Sequence, residues 1–538
     1  MRWMVAGLAL IAVACTQHAA PRYNVEEKSI AQLQADMTSG AVTSEQLVQA
    51  YLARIDSVDR SGPNLNSVIA LNPDALAQAR ALDEERRQGH VRGPLHGIPI
   101  LLKDNIETQD NIPTTAGSLA LAGNVTHRDA PLVARLRAAG AVILGKTNLS
   151  EWANIRSSNS ISGWSGVGGL TRNPYALDRN ACGSSSGSGA AAAASLAAVA
   201  IGTETDGSVT CPASINGLVG IKPTVGLVSR TYIVPISHSQ DTAGPMGRSV
   251  ADVAAVLNVI AGSDSADPAT AQADAHRTDY VAALNANALQ GARIGVLRFE
   301  AGFSKDVDAR FAEALQHLQA AGATLVEIAH QPSELDHVGD DELVVLQSEL
   351  RADLNSYLAS TPPAVRTRTL ADVIAFDNAT PAEMVLFGQD FFEKAEQTHG
   401  LTDPAYIRAR DRARRLAGPQ GIDRLLRENN AVALVAPTVG PAWTTDVVNG
   451  DHFTGGASTT LPAVAGYPHV TVPMGQVAHL PVGLSFIGTA WSDAQLLSYA
   501  YAYESHAHAR QPPTYARTIE TSEPYATAIR HSAPPAAH

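Results

Sequence analysis

What this 538-residue chain has little of narrows the reading first. It carries only three cysteines, Cys15, Cys182 and Cys211, too few for a disulfide framework to hold the fold. Charged residues make up 17% and hydrophobic residues 45%. Typical domains are about 25% charged, so this composition excludes a disordered scaffold and favours a compact enzyme. Basic patches are missing as well. The formal charge is −13, and no cluster of lysine and arginine with interleaved aromatics overrides it, which excludes nucleic acid as an expected partner.

Long apolar runs are also absent. The segment Met4 to Ala14, preceded by Arg2, is shorter than the about 20 residues a membrane-spanning helix needs. Its charged start and the small residues before Cys15 read as an export signal over residues 1–15. Ala12-Val13-Ala14-Cys15 has the form of a lipoprotein cleavage box, with Ala12 where leucine is usual. The protein is therefore expected in the periplasm or cell envelope, either freely exported or lipid-anchored through Cys15.

The chain exceeds the about 250–300 residues of a single core, which implies a large α/β domain with additions, or two lobes. Helical spacing runs through Leu33, Met37, Leu47 and Tyr51, with Ser44 as the expected N-cap of the second helix and Glu45 behind it. Asn72-Pro73-Asp74 opens a further helix to Arg87, and Gly93-Pro94 turns into a strand from Ile98 to Leu102. Pro131 to Gly140 then reads as helix and Ala141 to Gly145 as strand, the alternation of a wound sheet. The alanine-rich stretch Ala190 to Ala200 reads as a buried helix, since alanine is the best helix former and lets a helix pack closely. A second βαβ-like unit spans Gly291 to Ile328, and residues 340–428 are mainly helical in pattern. The sheet resumes at Ala431 to Ala436, at Val470 to Pro473 and at Pro481 to Gly488, and residues 515–538 are expected as a disordered tail.

Three segments carry chemistry. Lys103 closes the apolar run His96-Gly97-Ile98-Pro99-Ile100-Leu101-Leu102, where burial could hold its amine neutral and make it a base. Ser184 lies in Gly183-Ser184-Ser185-Ser186-Gly187. Ser208 ends Gly202-Thr203-Glu204-Thr205-Asp206-Gly207-Ser208, 24 positions further on. Successive backbone N–H groups from Thr205 through Asp206 and Gly207 to Ser208 can form an anion-binding nest, a candidate oxyanion hole.

Together these segments resemble the amidase signature family of serine hydrolases. So do the run from Asp129-Ala130-Pro131 to Lys146-Thr147-Asn148, Asn173-Pro174-Tyr175, and Gly220-Ile221-Lys222-Pro223-Thr224. The likeness extends over roughly residues 25–505 and is densest at about 90–250. Within the family the wording of Ser162-Gly163-Trp164-Ser165, Cys182-Gly183-Ser184 and Glu204 to Ser208 is similar to bacterial peptide amidases. The resemblance implies a large mixed β-sheet covered by helices on both faces, with residues 340–428 as a helical insertion. It also implies a Ser-Ser-Lys triad: Ser208 the nucleophile, Ser184 the proton shuttle, Lys103 the base, and a cis Gly183–Ser184 peptide bond. The implied reaction proceeds through an acyl-enzyme and deamidates C-terminal peptide amides with release of ammonia. It calls for no metal and no organic cofactor, and its expected partner is a small-molecule or short-peptide amide.

Each residue also has a plainer role open to it. A lysine after an apolar strand often snorkels to the surface, and Gly/Ser runs are often plain loops. Order and spacing together favour the triad. Gly183-Ser184-Ser185-Ser186-Gly187 also matches a G-x-S-x-G elbow with Ser185 as nucleophile, but that assignment leaves Lys103 and Ser208 unused. His506 and His508 lack further metal ligands and read as solvent-facing. Cys182 and Cys211 read as buried free thiols packing the site floor, with pairing in an oxidising compartment as the alternative. The chain departs from the family's common wording at Cys182, at Asp206 (usually glycine) and at Thr210 (often arginine). These departures put the transfer of a common fatty or aryl amide substrate in doubt. The alternatives are a general aliphatic or aryl amidase of the same family, an amidotransferase subunit, or a catalytically silent envelope binding protein.

Overall fold

The computed structural model describes residues 23–529. The expected export signal at 1–15, Cys15 with it, and the last part of the expected tail at 530–538 lie outside the described residues.

An eleven-stranded mixed sheet organises the molecule. Across it the strands run Val68–Leu71, Val142–Thr147, Pro99–Lys103, Val199–Glu204, Thr242–Gly247, Val219–Lys222, His469–Val477, Leu480–Ile487, Ala433–Pro437, Arg293–Leu297 and Thr324–Ile328. Pro99–Lys103 lies parallel to both of its neighbours, Ile100 pairing with Ile143 on one side and with Val199 on the other. A strand enclosed on both sides and both faces is apolar throughout, without alternation, which explains the run that ends at Lys103. Helices Val250–Ile260, Lys305–Ala320 and Asp493–Ala507 pack on one another and on the sheet. The short helices Ser186–Ala193 and Thr210–Ile215 form a second packed group against it, so helices cover both faces.

Between Val338 and Glu428 the chain is mainly helical, with Val338–Ala359 and Pro404–Ala417 its longest helices. Leu350, Leu354, Leu358 and Phe392 bury a satellite apolar cluster against Ala116, Leu121 and Trp152, which fixes this segment over the loops that follow Lys103.

Several boundaries differ from the sequence expectation for identifiable reasons. The second N-terminal helix is capped by Thr43, not Ser44, because Thr43 and Gln46 form a reciprocal capping box, whereas the residue three beyond Ser44 is Leu47. The alanine-rich helix is Ser186–Ala193 and not 190–200. It ends where Ser195 turns into the left-handed region, and Val199, Ala200 and Ile201 join the sheet. Residues 515–529 are folded, not disordered. Tyr515 N–H donates to the Pro174 carbonyl at 2.9 Å, Ala516 bridges to Ala176, and Tyr525–Ile529 is helical.

Candidate active site

Lys103 is fully buried at the end of its strand. Its Nζ donates to Ser184 Oγ at 2.7 Å, to Thr203 Oγ1 at 2.9 Å and to the Thr203 carbonyl at 3.2 Å. Desolvation drives its pKa down from 10.5 to about 7, against the opposing fields of the Asp241 and Glu204 carboxylates. Burial alone does not make a lysine a base. Lys146 is equally buried, but it donates to the Ile106 carbonyl and to Thr114 Oγ1 and lies 3.8 Å from Asp104, so it serves the structure.

Ser184 follows a cis Gly183–Ser184 bond at the foot of the Ser186–Ala193 helix. That helix approaches the neighbouring loop so closely that a Cβ at Gly187 would sit 2.6 Å from both the N and O of Asn148, which demands glycine there. Ser185, the elbow candidate, has no exposure. Its Oγ donates to the Thr203 carbonyl at 3.1 Å and accepts from Thr203 N–H at 3.2 Å, so its hydroxyl is engaged with the sheet.

Ser208 follows the Val199–Glu204 strand, in a turn where Gly207 has φ +76°, a conformation that favours glycine. Ser185 N–H donates to the Ser208 carbonyl at 3.2 Å and brings the two serine turns together. Among the described residues, Lys103 is hydrogen-bonded to Ser184, and no hydrogen bond joins the Ser184 and Ser208 hydroxyls. The N–H groups of Thr205, Asp206, Gly207 and Ser208 have no acceptor among the described residues. Just beyond them, Val209 and Thr210 N–H both donate to Glu204, at 2.8 and 2.9 Å, which holds the turn open on that side. Asp206 Oδ2 accepts from Thr460 Oγ1 at 2.7 Å, and burial raises the Asp206 pKa.

Cys182 and Cys211 form a disulfide, their Cα atoms 6.1 Å apart. This corrects the expectation of free thiols: the fold stacks the helices that follow the two serines and brings together two cysteines 29 residues apart. The disulfide, Gly183, Asp206 and Gly207 line a cavity of about 290 Å³ together with Val439, Trp443 and Phe453.

Thr203 and Asp241 escape sequence reasoning, because no motif marks either and strand pairing brings them to the site. Thr203 Oγ1 accepts from both Lys103 and Asn105. Asp241 accepts from Thr205 Oγ1 at 2.7 Å and from Ile236 N–H at 2.8 Å and Ser237 N–H at 3.0 Å. Burial raises the Asp241 pKa to about 6. His506 and His508 are exposed. His238, Glu349 and Asp353 bring potential ligand atoms within 4.8 Å of one another, but Ser237, Ser239 and Tyr406 already donate to Glu349, and His238 N–H donates to Asp353.

Comparison with known proteins identifies the family. The family model described as Amidase matches residues 46–497. The structure is similar to the native peptide amidase of Stenotrophomonas maltophilia, at 54% identity and a TM-score of 0.86, over 91% of this chain and 99% of that one. It is also similar to an amidase family protein from Bacillus anthracis, at 33% identity and a TM-score of 0.81, over 91% and 93% of the two chains. A probable amidase of Arabidopsis thaliana is 38% identical over 507 residues, 92% of each chain. A match of this extent in both sequence and fold makes the chain a member of the amidase family, an enzyme that hydrolyses amide bonds.

Proposed function

We propose that this amidase removes the C-terminal amide of short peptides as ammonia, with Ser208 as nucleophile, Ser184 as proton relay and Lys103 as base. The observation that carries the proposal is the 2.7 Å contact between a fully buried lysine amine and Ser184 Oγ, on the turn beside Ser208. A neutral amine has two N–H bonds and one lone pair. Thr203 offers two acceptors for the N–H bonds, its carbonyl and its hydroxyl, and the lone pair then faces the Ser184 hydroxyl.

The relay follows from that geometry. Ser184 gives its proton to Lys103 and takes the Ser208 proton as Ser208 Oγ attacks the amide carbon. The carbonyl oxygen, now an anion, is received by the uncommitted N–H groups of the Thr205–Ser208 turn. Returning the proton through Ser184 to the nitrogen releases ammonia and leaves an acyl-enzyme on Ser208. Water then attacks the acyl carbon, giving its proton to the same relay, which returns it to Ser208 Oγ as the acyl–oxygen bond breaks and the free acid leaves.

Two things support a peptide amide as substrate: the 54% identity to a peptide amidase, and the apolar cavity walls at Val439, Trp443 and Phe453, which suit the side chain of an amidated residue. The purified chain is to be offered a peptide amide, the same peptide as free acid, and an aryl amide, with ammonia and product mass followed. Ammonia from the peptide amide alone is expected. Internal cleavage of the free acid would make the enzyme an endopeptidase, and preference for the aryl amide would move it to the general amidases.

A further inference from the structure

Cys182 stands two positions before Ser184, and Cys211 three positions after Ser208. Their disulfide therefore closes a loop that contains both serines, and it crosses between the two turns on which the relay is built. Hydrogen bonds also tie these turns: Ser185 N–H reaches the Ser208 carbonyl at 3.2 Å, Ser185 Oγ is bonded to the N–H and carbonyl of Thr203 on the strand before Ser208, and Asn216 bridges the Ala181 and Pro212 carbonyls, but the disulfide is the covalent link between them. Cys182 also has φ +55°, a backbone state a side chain rarely adopts, immediately before Gly183. Both cysteines retain 5% exposure, and both line the cavity, so the bond is reachable from the substrate side.

We propose that the Cys182–Cys211 disulfide is a positioning element for the reaction: it sets the separation of the Ser184 and Ser208 turns, and its reduction by a small dithiol turns the enzyme down. The inference rests on the proposed roles of Ser184 and Ser208. The chemistry is thiol–disulfide exchange. The dithiol supplies two electrons and two protons, the S–S bond breaks, Cys182 and Cys211 become thiols, and the dithiol closes to its own cyclic disulfide. Lys103 keeps its bonds to Thr203, and Val439, Trp443 and Phe453 come from a distant segment, so the base and the substrate-facing wall stay in place. The step that suffers is the transfer between the two serines, which is read in kcat and not in KM.

The test compares the full-length oxidised enzyme, the dithiothreitol-treated enzyme and the Cys182→Ser/Cys211→Ser double variant. Alkylation and peptide mass confirm that both thiols are free, and circular dichroism confirms that the protein remains folded. The probe is ammonia release from a peptide amide. We expect kcat to fall by about 10- to 100-fold, the scale of an ångström-sized misplacement of reacting groups. KM should stay within about threefold, and reoxidation should restore the treated enzyme but not the double variant. A reduced, folded enzyme with undiminished kcat overturns the inference, as does activity lost only in step with unfolding. Either result leaves the triad untouched. Full activity of Ser208→Ala would instead remove the reading on which the inference stands.

Discussion

Replacing Lys103 by methionine should abolish turnover and at the same time relieve the protein of a pH-dependent burden. In the folded protein the amine titrates near 7, against 10.5 when solvated. Below 10.5 the unfolded chain takes up a proton that the folded chain refuses, so folding is increasingly disfavoured as pH falls, until the folded amine also protonates near 7. At about 1.36 kcal/mol per decade, the burden is about 4 kcal/mol at pH 7 and about 2 kcal/mol at pH 9. Methionine has similar bulk and no titrating group. It leaves the two Thr203 acceptors without a donor and Ser184 Oγ without its partner, a loss that does not depend on pH. The absolute stability of Lys103→Met therefore mixes two terms, but its change with pH isolates one. Urea denaturation of both proteins at pH 7 and pH 9 should show the variant gaining, relative to wild type, about 2 kcal/mol more at pH 7. Equal stability differences at the two pH values would mean that the buried amine does not titrate as the structure requires, and would remove Lys103 as a base near neutrality.

Other consequences are open to direct measurement. Ser208→Ala should lose several orders of magnitude in kcat while keeping the fold, whereas Ser185→Ala, which deletes a hydroxyl turned toward Thr203, should remain active; the opposite ranking in an ammonia assay would favour the elbow assignment. The rate should rise with pH through about 7, because only the neutral amine is a base. Asp241→Asn removes a negative field that favours the ammonium, so the rising limb should move to lower pH; an unchanged or alkaline-shifted limb would refute the coupling. Replacing both Cys182 and Cys211 by alanine should cost about 3 to 4 kcal/mol of stability, the chain-entropy value for a loop of this size, and an unchanged denaturation midpoint would count against the pairing.

Much of this architecture was legible because the relevant residues are local. A continuous apolar run ending in lysine announces a strand buried on both sides, and Gly207 announces a turn in the left-handed region. The thiol pairing was not legible. Spacing of 29 residues permits many arrangements, and only the packing of the Ser186–Ala193 and Thr210–Ile215 helices decides among them. Thr203 and Asp241 were hidden for a related reason: a threonine in a strand and an aspartate in a loop acquire a role only through partners that the sheet brings from elsewhere. The folded segment at 515–529 was grouped with the proline- and alanine-rich end of the chain, and no local pattern announces the backbone pairing that Tyr515 and Ala516 make with Pro174 and Ala176. Cys15 and the apolar segment before it remain a reading of sequence alone.

The complete burial of Lys103 bears on the solutions in which the enzyme can work. Mobile ions screen charges over about 8 Å at physiological ionic strength, but they act through solvent and reach an enclosed amine weakly. A base tuned by a ring of surface charges would lose its tuning as salt rises. Here the dominant influence is exclusion of water, with fixed carboxylates opposing it from inside. The midpoint of the pH–rate curve should therefore stay nearly constant from dilute buffer to brine, even though the −13 net charge makes the protein's exterior responsive to salt. Attraction or repulsion of charged peptides would change with ionic strength, and the readiness of the base would not.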